Sequence, residues 1–95
     1  MSKKEAYQQK VEAQLNEWKA DIDKLKAKAD QASASAQAGL YEQIDQLKAK
    51  REAVANKFDE LRNSSDEAWD DVKSGLDLAK ESLSEAMNSA SDRFK

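Results

Sequence analysis

The chain has 95 residues, 37% of them charged, with a net charge of −3 at pH 7 and no proline, cysteine or histidine. That length holds at most one small domain. Disulfide and thiol chemistry are excluded, the usual general base near neutral pH is missing, and a net-negative chain lacks the basic surface that nucleic acid demands.

Good helix formers dominate and breakers are scarce, the profile of long helices. An apolar stripe runs through Val11, Leu15, Trp18, Ile22, Leu25, Ala29, Ala32, Ala36, Leu40, Ile44, Leu47, Arg51, Val54, Phe58, Leu61, Ser65, Trp69, Val72, Leu76, Ala79, Leu83, Ala86, Ala90 and Phe94. Only Arg51 and Ser65 in it are not apolar. Its mean step is about 3.6 residues, the α-helical period.

The first predicted helix covers residues 3–32. Its stripe steps 4-3-4-3-4-3 from Val11 to Ala32, a heptad pattern, and Tyr7 extends it by one turn. The opening MSKKEAYQQK carries charge but lacks the apolar core of a signal peptide. No run approaches the ~20 apolar residues of a membrane span, so the expectation is a cytoplasmic protein.

Residues 27–39, AKADQASASAQAG, put only alanine on the stripe and so bury little. Gly39 is a candidate C-cap, and Glu42 and Asp45 follow it as acids do near a helix start. The stripe nevertheless keeps positions 36, 40 and 44 on one face, which favours one continuous helix over 3–62. A break near 33–39 is the alternative.

Residues 40–62 are predicted helix, with Lys57 and Arg62 at the end that favours cations. NSSDEAWDD follows. Ser64 and Glu67 fit a capping box, and Asp66, Glu67, Asp70 and Asp71 would sit in the first turns. This predicts a last helix over 65–94, with Arg93 and Lys95 at its end. The stripe takes paired four-residue steps at 36-40-44 and 61-65-69, stutters that unwind a supercoil or mark turns.

Positions one residue after the stripe alternate in charge: Lys19, Asp23, Lys26, Asp30; Asp45, Lys48, Glu52; Asp59, Arg62, Asp66; Asp70, Lys73, Asp77, Lys80. Such a ladder either pairs along its own helix or flanks a helix–helix seam and selects the partner. The narrow, two-per-heptad stripe favours the seam. The seam residues are therefore Val11, Leu15, Trp18, Ile22, Leu25, Leu40, Ile44, Leu47, Arg51, Val54, Phe58, Leu61, Trp69, Val72, Leu76, Leu83 and Phe94. Arg51 either packs its stem and lifts its head to water or sets register. Trp18 and Trp69 are expected to pack in the core.

No nucleophile–base pair can be built, and no EF-hand spacing exists. No catalytic residue, cofactor, metal site or small-molecule substrate is expected.

The segments VEAQLNEWKADIDKLKAKAD, YEQIDQLKAKREA and SSDEAWDDVKSGLDLAKESL resemble small bacterial coiled-coil domain-containing proteins of about this length. That resemblance implies long helices, with a helical tail opening at the SDEAW segment, and no reaction. The ASASAQAG stretch departs from the group's charged middle segment. A looser, compositional likeness is to exchangeable apolipoproteins.

The expectation is one all-α domain over 1–95, with helices 3–62 and 65–94 forming an antiparallel hairpin or oligomeric coiled coil. A 60-residue helix is about 90 Å long and the tail about 45 Å. The tail covers half the stripe, so self-association or a helical protein partner follows. The rival arrangement is an up-down-up three-helix bundle over 3–32, 40–63 and 65–94. The expected function is a non-enzymatic structural or interaction module acting through the seam. The alternative is reversible binding to a lipid surface by the same face.

Overall fold

The computed structural model describes residues 2–94. Among them the chain forms three α-helices, α1 (Lys3–Asp30), α2 (Ala34–Arg62) and α3 (Trp69–Arg93). The fold is all-α, and its arrangement is the up-down-up three-helix alternative. The helices have 28, 29 and 25 residues, or about 42, 44 and 38 Å of rise, and fill a body of 51 × 21 × 18 Å. A 90 Å rod over 3–62 does not form.

α1 opens on Ser2, whose Oγ accepts a hydrogen bond from the Glu5 N–H at 3.1 Å. It ends at the alanine waist, though earlier than Gly39. The Gln31 N–H bonds the Lys28 carbonyl at 3.2 Å and the Ala32 N–H bonds the Ala29 carbonyl at 3.1 Å, closing the last turn. α2 then supplies the fastening. Gln37 Nε2 donates to the carbonyls of Ala29 and Asp30, at 3.3 Å each, and the Tyr41 hydroxyl donates to the Asp30 carboxylate. Gln37 thus reaches back to the carbonyls at the end of α1, adding a second partner at Ala29 and satisfying Asp30. The Asp30 carboxyl is held below its usual range, first by the Tyr41 bond and then by Lys26, against some desolvation.

Gly39 lies inside α2 and is no cap. Among the described residues, no residue has a positive φ. Stripe continuity through 36, 40 and 44 is therefore real, but it belongs to α2 alone. At this stutter the inward positions become Gln37 and Tyr41, both half-buried, while Ala36 is exposed.

The second turn also departs from expectation. Ser64 donates from Oγ to the Leu61 carbonyl at 2.7 Å instead of forming a capping box with Glu67. Ser65 closes the turn before the helix, its Oγ accepting from the Ala68 N–H at 3.2 Å, and Ala68 stands at the N-cap with no side-chain bond. α3 consequently starts at Trp69 instead of residue 65. Asp70 and Asp71 occupy its first turn and Arg93 its last, the signs the helix dipole favours. Lys95 lies outside the described residues.

The core is the stripe folded onto itself. Fifteen apolar residues are buried, from Val11 at one helix to Phe94 at the end of the chain, and no described polar or charged residue is buried with them. Among the described residues, no helix is long and apolar enough to cross a membrane.

Candidate interaction surface

Thirteen of the seventeen predicted seam residues are buried: Val11, Leu15, Ile22, Leu25, Ile44, Leu47, Val54, Phe58, Leu61, Trp69, Leu76, Leu83 and Phe94. Trp18, Leu40 and Val72 pack against them at partial burial. A half-covered 60-residue helix would leave apolar stripe for a second copy. Three helices of similar length leave no such remainder. The seam is the interior of one chain, and any partner meets the outer surface.

Arg51 is the seam position that stays polar. It is half-buried, and its Nε–H donates to the Leu15 carbonyl at 3.0 Å. Arg51 thereby bridges α2 to α1, and it also lines a groove between those helices. That groove has a volume of about 430 Å³. Lys19, Ile22 and Asp23 line it from α1, and Lys48, Arg51, Glu52, Ala55 and Asn56 from α2. Ile22 is almost fully buried at its floor.

Of the charge ladder's rungs, Asp66 pairs with Lys4 of α1, and Asp45 and Asp70 make no ion pair with any described residue. Most of the others fall into two groups. In one, neighbours pair along their own helix: Lys26 with Asp30 at 3.4 Å, Lys73 with Asp77 at 3.2 Å, Lys80 with Asp77 at 3.8 Å, and Arg62 with Asp59. In the other, around the groove, Lys19, Asp23, Lys48 and Glu52 make no ion pair with any described residue within 4.0 Å. Sequence spacing placed these side chains on the ladder, but only the fold separates the paired rungs from the free ones.

A second cluster joins α1 to the start of α3. Tyr7 sits edge-on to Trp69, with ring centroids 6.3 Å apart. Its hydroxyl donates to Asp77 at 2.5 Å. Lys73 and Lys80 stand over its ring at 4.8 and 5.0 Å, and Lys4 stands over Trp69 at 4.9 Å while pairing with Asp66. Burial, then the bond to Asp77 and its charge, push the Tyr7 phenol well above its ordinary range. Burial works against the Asp77 carboxylate, but the Tyr7 and Lys73 bonds and the Lys73 and Lys80 charges outweigh it and lower its pKa. Burial lowers Lys80, Lys10 and Lys73 push the same way, and Asp77 opposes them. Every group here already has a partner, so the cluster fastens two parallel helices. Sequence reading treated Tyr7 only as an extra turn of stripe; its tie to Asp77, seventy residues on, carries no local signal.

Among the described residues, no group of three or more His, Cys, Asp or Glu side chains could hold a metal ion. No protein-family model, curated protein or solved structure matches the chain.

Proposed function

We propose that the protein is a non-enzymatic helical interaction module that binds a protein partner across the outer α1–α2 groove. The observation that carries this is the free charge at that groove. Lys26 with Asp30, Asp59 with Arg62, and Asp77 with Lys73 and Lys80 are paired along their own helices, and Asp45 and Asp70 stand singly, whereas Lys19, Asp23, Lys48 and Glu52 gather around one small apolar floor with no ion partner among the described residues. Charges of both signs around a small apolar centre give specificity and register to a protein contact more than raw affinity. The absence of histidine and cysteine from the sequence supports a role in contact over chemistry. A bacterial, cytoplasmic setting is part of the same proposal, in keeping with the coiled-coil proteins the chain resembles.

Reversible lipid binding has less support. The apolar face it needs lies inside the bundle, and Leu78 is the exposed large apolar side chain among the described residues. Using the buried face would require the helices to separate.

A benzophenone photocrosslinker in place of Asn56, at the groove edge, tests the proposal in cells. The expected result is an adduct of discrete size that Lys48→Glu abolishes. A crosslinker at Glu85, exposed on α3, should give none. Adducts that are absent, or equal at both sites, would overturn the proposal.

A further inference from the structure

We infer that the occupant of the α1–α2 groove is a second copy of this chain, docked by a self-complementary pattern of four charges. The inference rests on the interaction role proposed above and names its partner. α1 and α2 run in opposite directions, so Lys19 lies toward the same end of the groove as Glu52, and Asp23 toward the end of Lys48. The four therefore alternate in sign around the groove, positive and negative on each helix and at each end.

Such a pattern matches its own image. Turning a second copy half a turn about the long axis of the groove sets its α2 over α1. Lys19 then meets Glu52 of the copy, and Asp23 meets its Lys48. Turning the copy about the perpendicular axis in the same face sets Lys19 against Asp23 and Lys48 against Glu52. The four ladder charges meet opposite signs in either arrangement, but the first also sets Arg51, which spans the groove to Leu15, against its own image, so the perpendicular two-fold is the isologous contact inferred. A partner whose facing helices carried one sign only would meet two like charges. The broad side of a 51 × 21 × 18 Å bundle exceeds the roughly 800 Å² per partner of a standard interface. Facing helices in the resulting assembly are antiparallel, as in an up-down four-helix bundle. Free charges rim the groove and its apolar centre is small, so the contact is weak and salt-sensitive.

Sedimentation equilibrium on the full chain, at concentrations up to about 1 mM where weak complexes register, reads this directly. The expected result is a reversible monomer–dimer equilibrium in low salt. It should dissociate near 1 M sodium chloride, where the screening length falls to ~3 Å. Asp23→Lys puts two like-charge encounters into each dimer and should raise the dissociation constant about tenfold or more. Glu85→Lys, on exposed α3 surface, should leave it unchanged, and circular dichroism checks that both variants stay helical. A wild-type chain that stays monomeric throughout, or a dimer indifferent to salt and to Asp23→Lys, would overturn the inference. The Asn56 crosslinker separates that failure from failure of the wider reading. A monomer that still gives a Lys48-dependent adduct has a different protein partner, and a monomer that gives none loses both readings.

Discussion

Arg51 of α2 donates its Nε–H to the backbone carbonyl of Leu15 in α1 at 3.0 Å, so the one charged residue of the apolar stripe ties two helices together. Leu15 O also lies within the α1 ladder, where the residue one turn on supplies its usual helical bond. Replacing Arg51 therefore leaves no buried acceptor bare. Arg51→Leu keeps a stem in the half-buried site, adds apolar contact and should raise stability by up to about 1 kcal/mol. Arg51→Ala loses both stem packing and hydrogen bond and should cost about 1 kcal/mol. For a domain of this size, 1 kcal/mol is roughly 4–8 °C in melting temperature. Thermal melts followed by circular dichroism should rank Leu above wild type and wild type above Ala. A loss of stability in Arg51→Leu would mean that the hydrogen bond outweighs the apolar gain.

Gly39 gives a cleaner contrast. A C-capping glycine needs a left-handed backbone, and alanine there destabilises. Gly39 instead sits in the interior of α2, and a methyl group added to it would meet nothing within 4 Å. Gly39→Ala should therefore stabilise the protein by about 0.5–1 kcal/mol, the ordinary helix-propensity gain. A lower melting temperature for this variant would place a turn at Gly39 after all.

The reason the turn is legible only in part lies in those same residues. The stripe located the core, because burial follows helical periodicity whichever helices do the burying. Val11, Ile44 and Leu83 are buried in a three-helix bundle as they would be in a coiled coil. Periodicity did not show the fold-back, because alanine at 29, 32 and 36 is compatible with helix and with turn. What decides is Gln37 reaching back to Ala29 and Asp30, and Tyr41 reaching Asp30. These bonds exist only once the chain has turned. The free rungs of the ladder were hidden for a related reason. Lys19 and Asp23 look as well paired in sequence as Lys26 and Asp30, yet only the latter close to ion-pair distance.

The Tyr7–Asp77 bond makes stability fall in alkali. The folded phenol has its pKa raised above the ordinary 10.0 by burial and by Asp77, while the unfolded chain ionises at the ordinary value. The contribution of Tyr7 is thus fully present below pH 10 and is lost as the pH rises from there toward the folded pKa. Tyr41, held by Asp30, is shifted in the same direction and must be removed to isolate the effect. In Tyr41→Phe, phenolate absorbance should lag behind that of free tyrosine for as long as the far-ultraviolet spectrum stays helical. The double variant with Tyr7→Phe should lose less stability above pH 10 than Tyr41→Phe alone. Ionisation of Tyr7 at the ordinary pH in the folded chain would contradict the bond.

Leu83 and Leu78 lie five residues apart on α3 and should respond in opposite ways. Leu83 is fully buried, and Leu78 is 68% exposed. Leu83→Ala removes a core side chain whose surroundings relax only in part, at a cost of about 2–5 kcal/mol. Much of a small domain's stability goes with it, so partial unfolding at 25 °C is expected in urea titrations. Leu78→Ala removes an isolated surface leucine and should change stability by less than about 0.5 kcal/mol. The same pair separates a bundle complete in one chain from helices that need a second chain for their core. In the first case the Leu83→Ala midpoint is independent of protein concentration, because the groove contact leaves the core untouched. In the second, dilution lowers the midpoint of both the wild type and the variant. Urea midpoints measured at two widely spaced concentrations should therefore coincide for each protein in high salt, where the groove contact is screened.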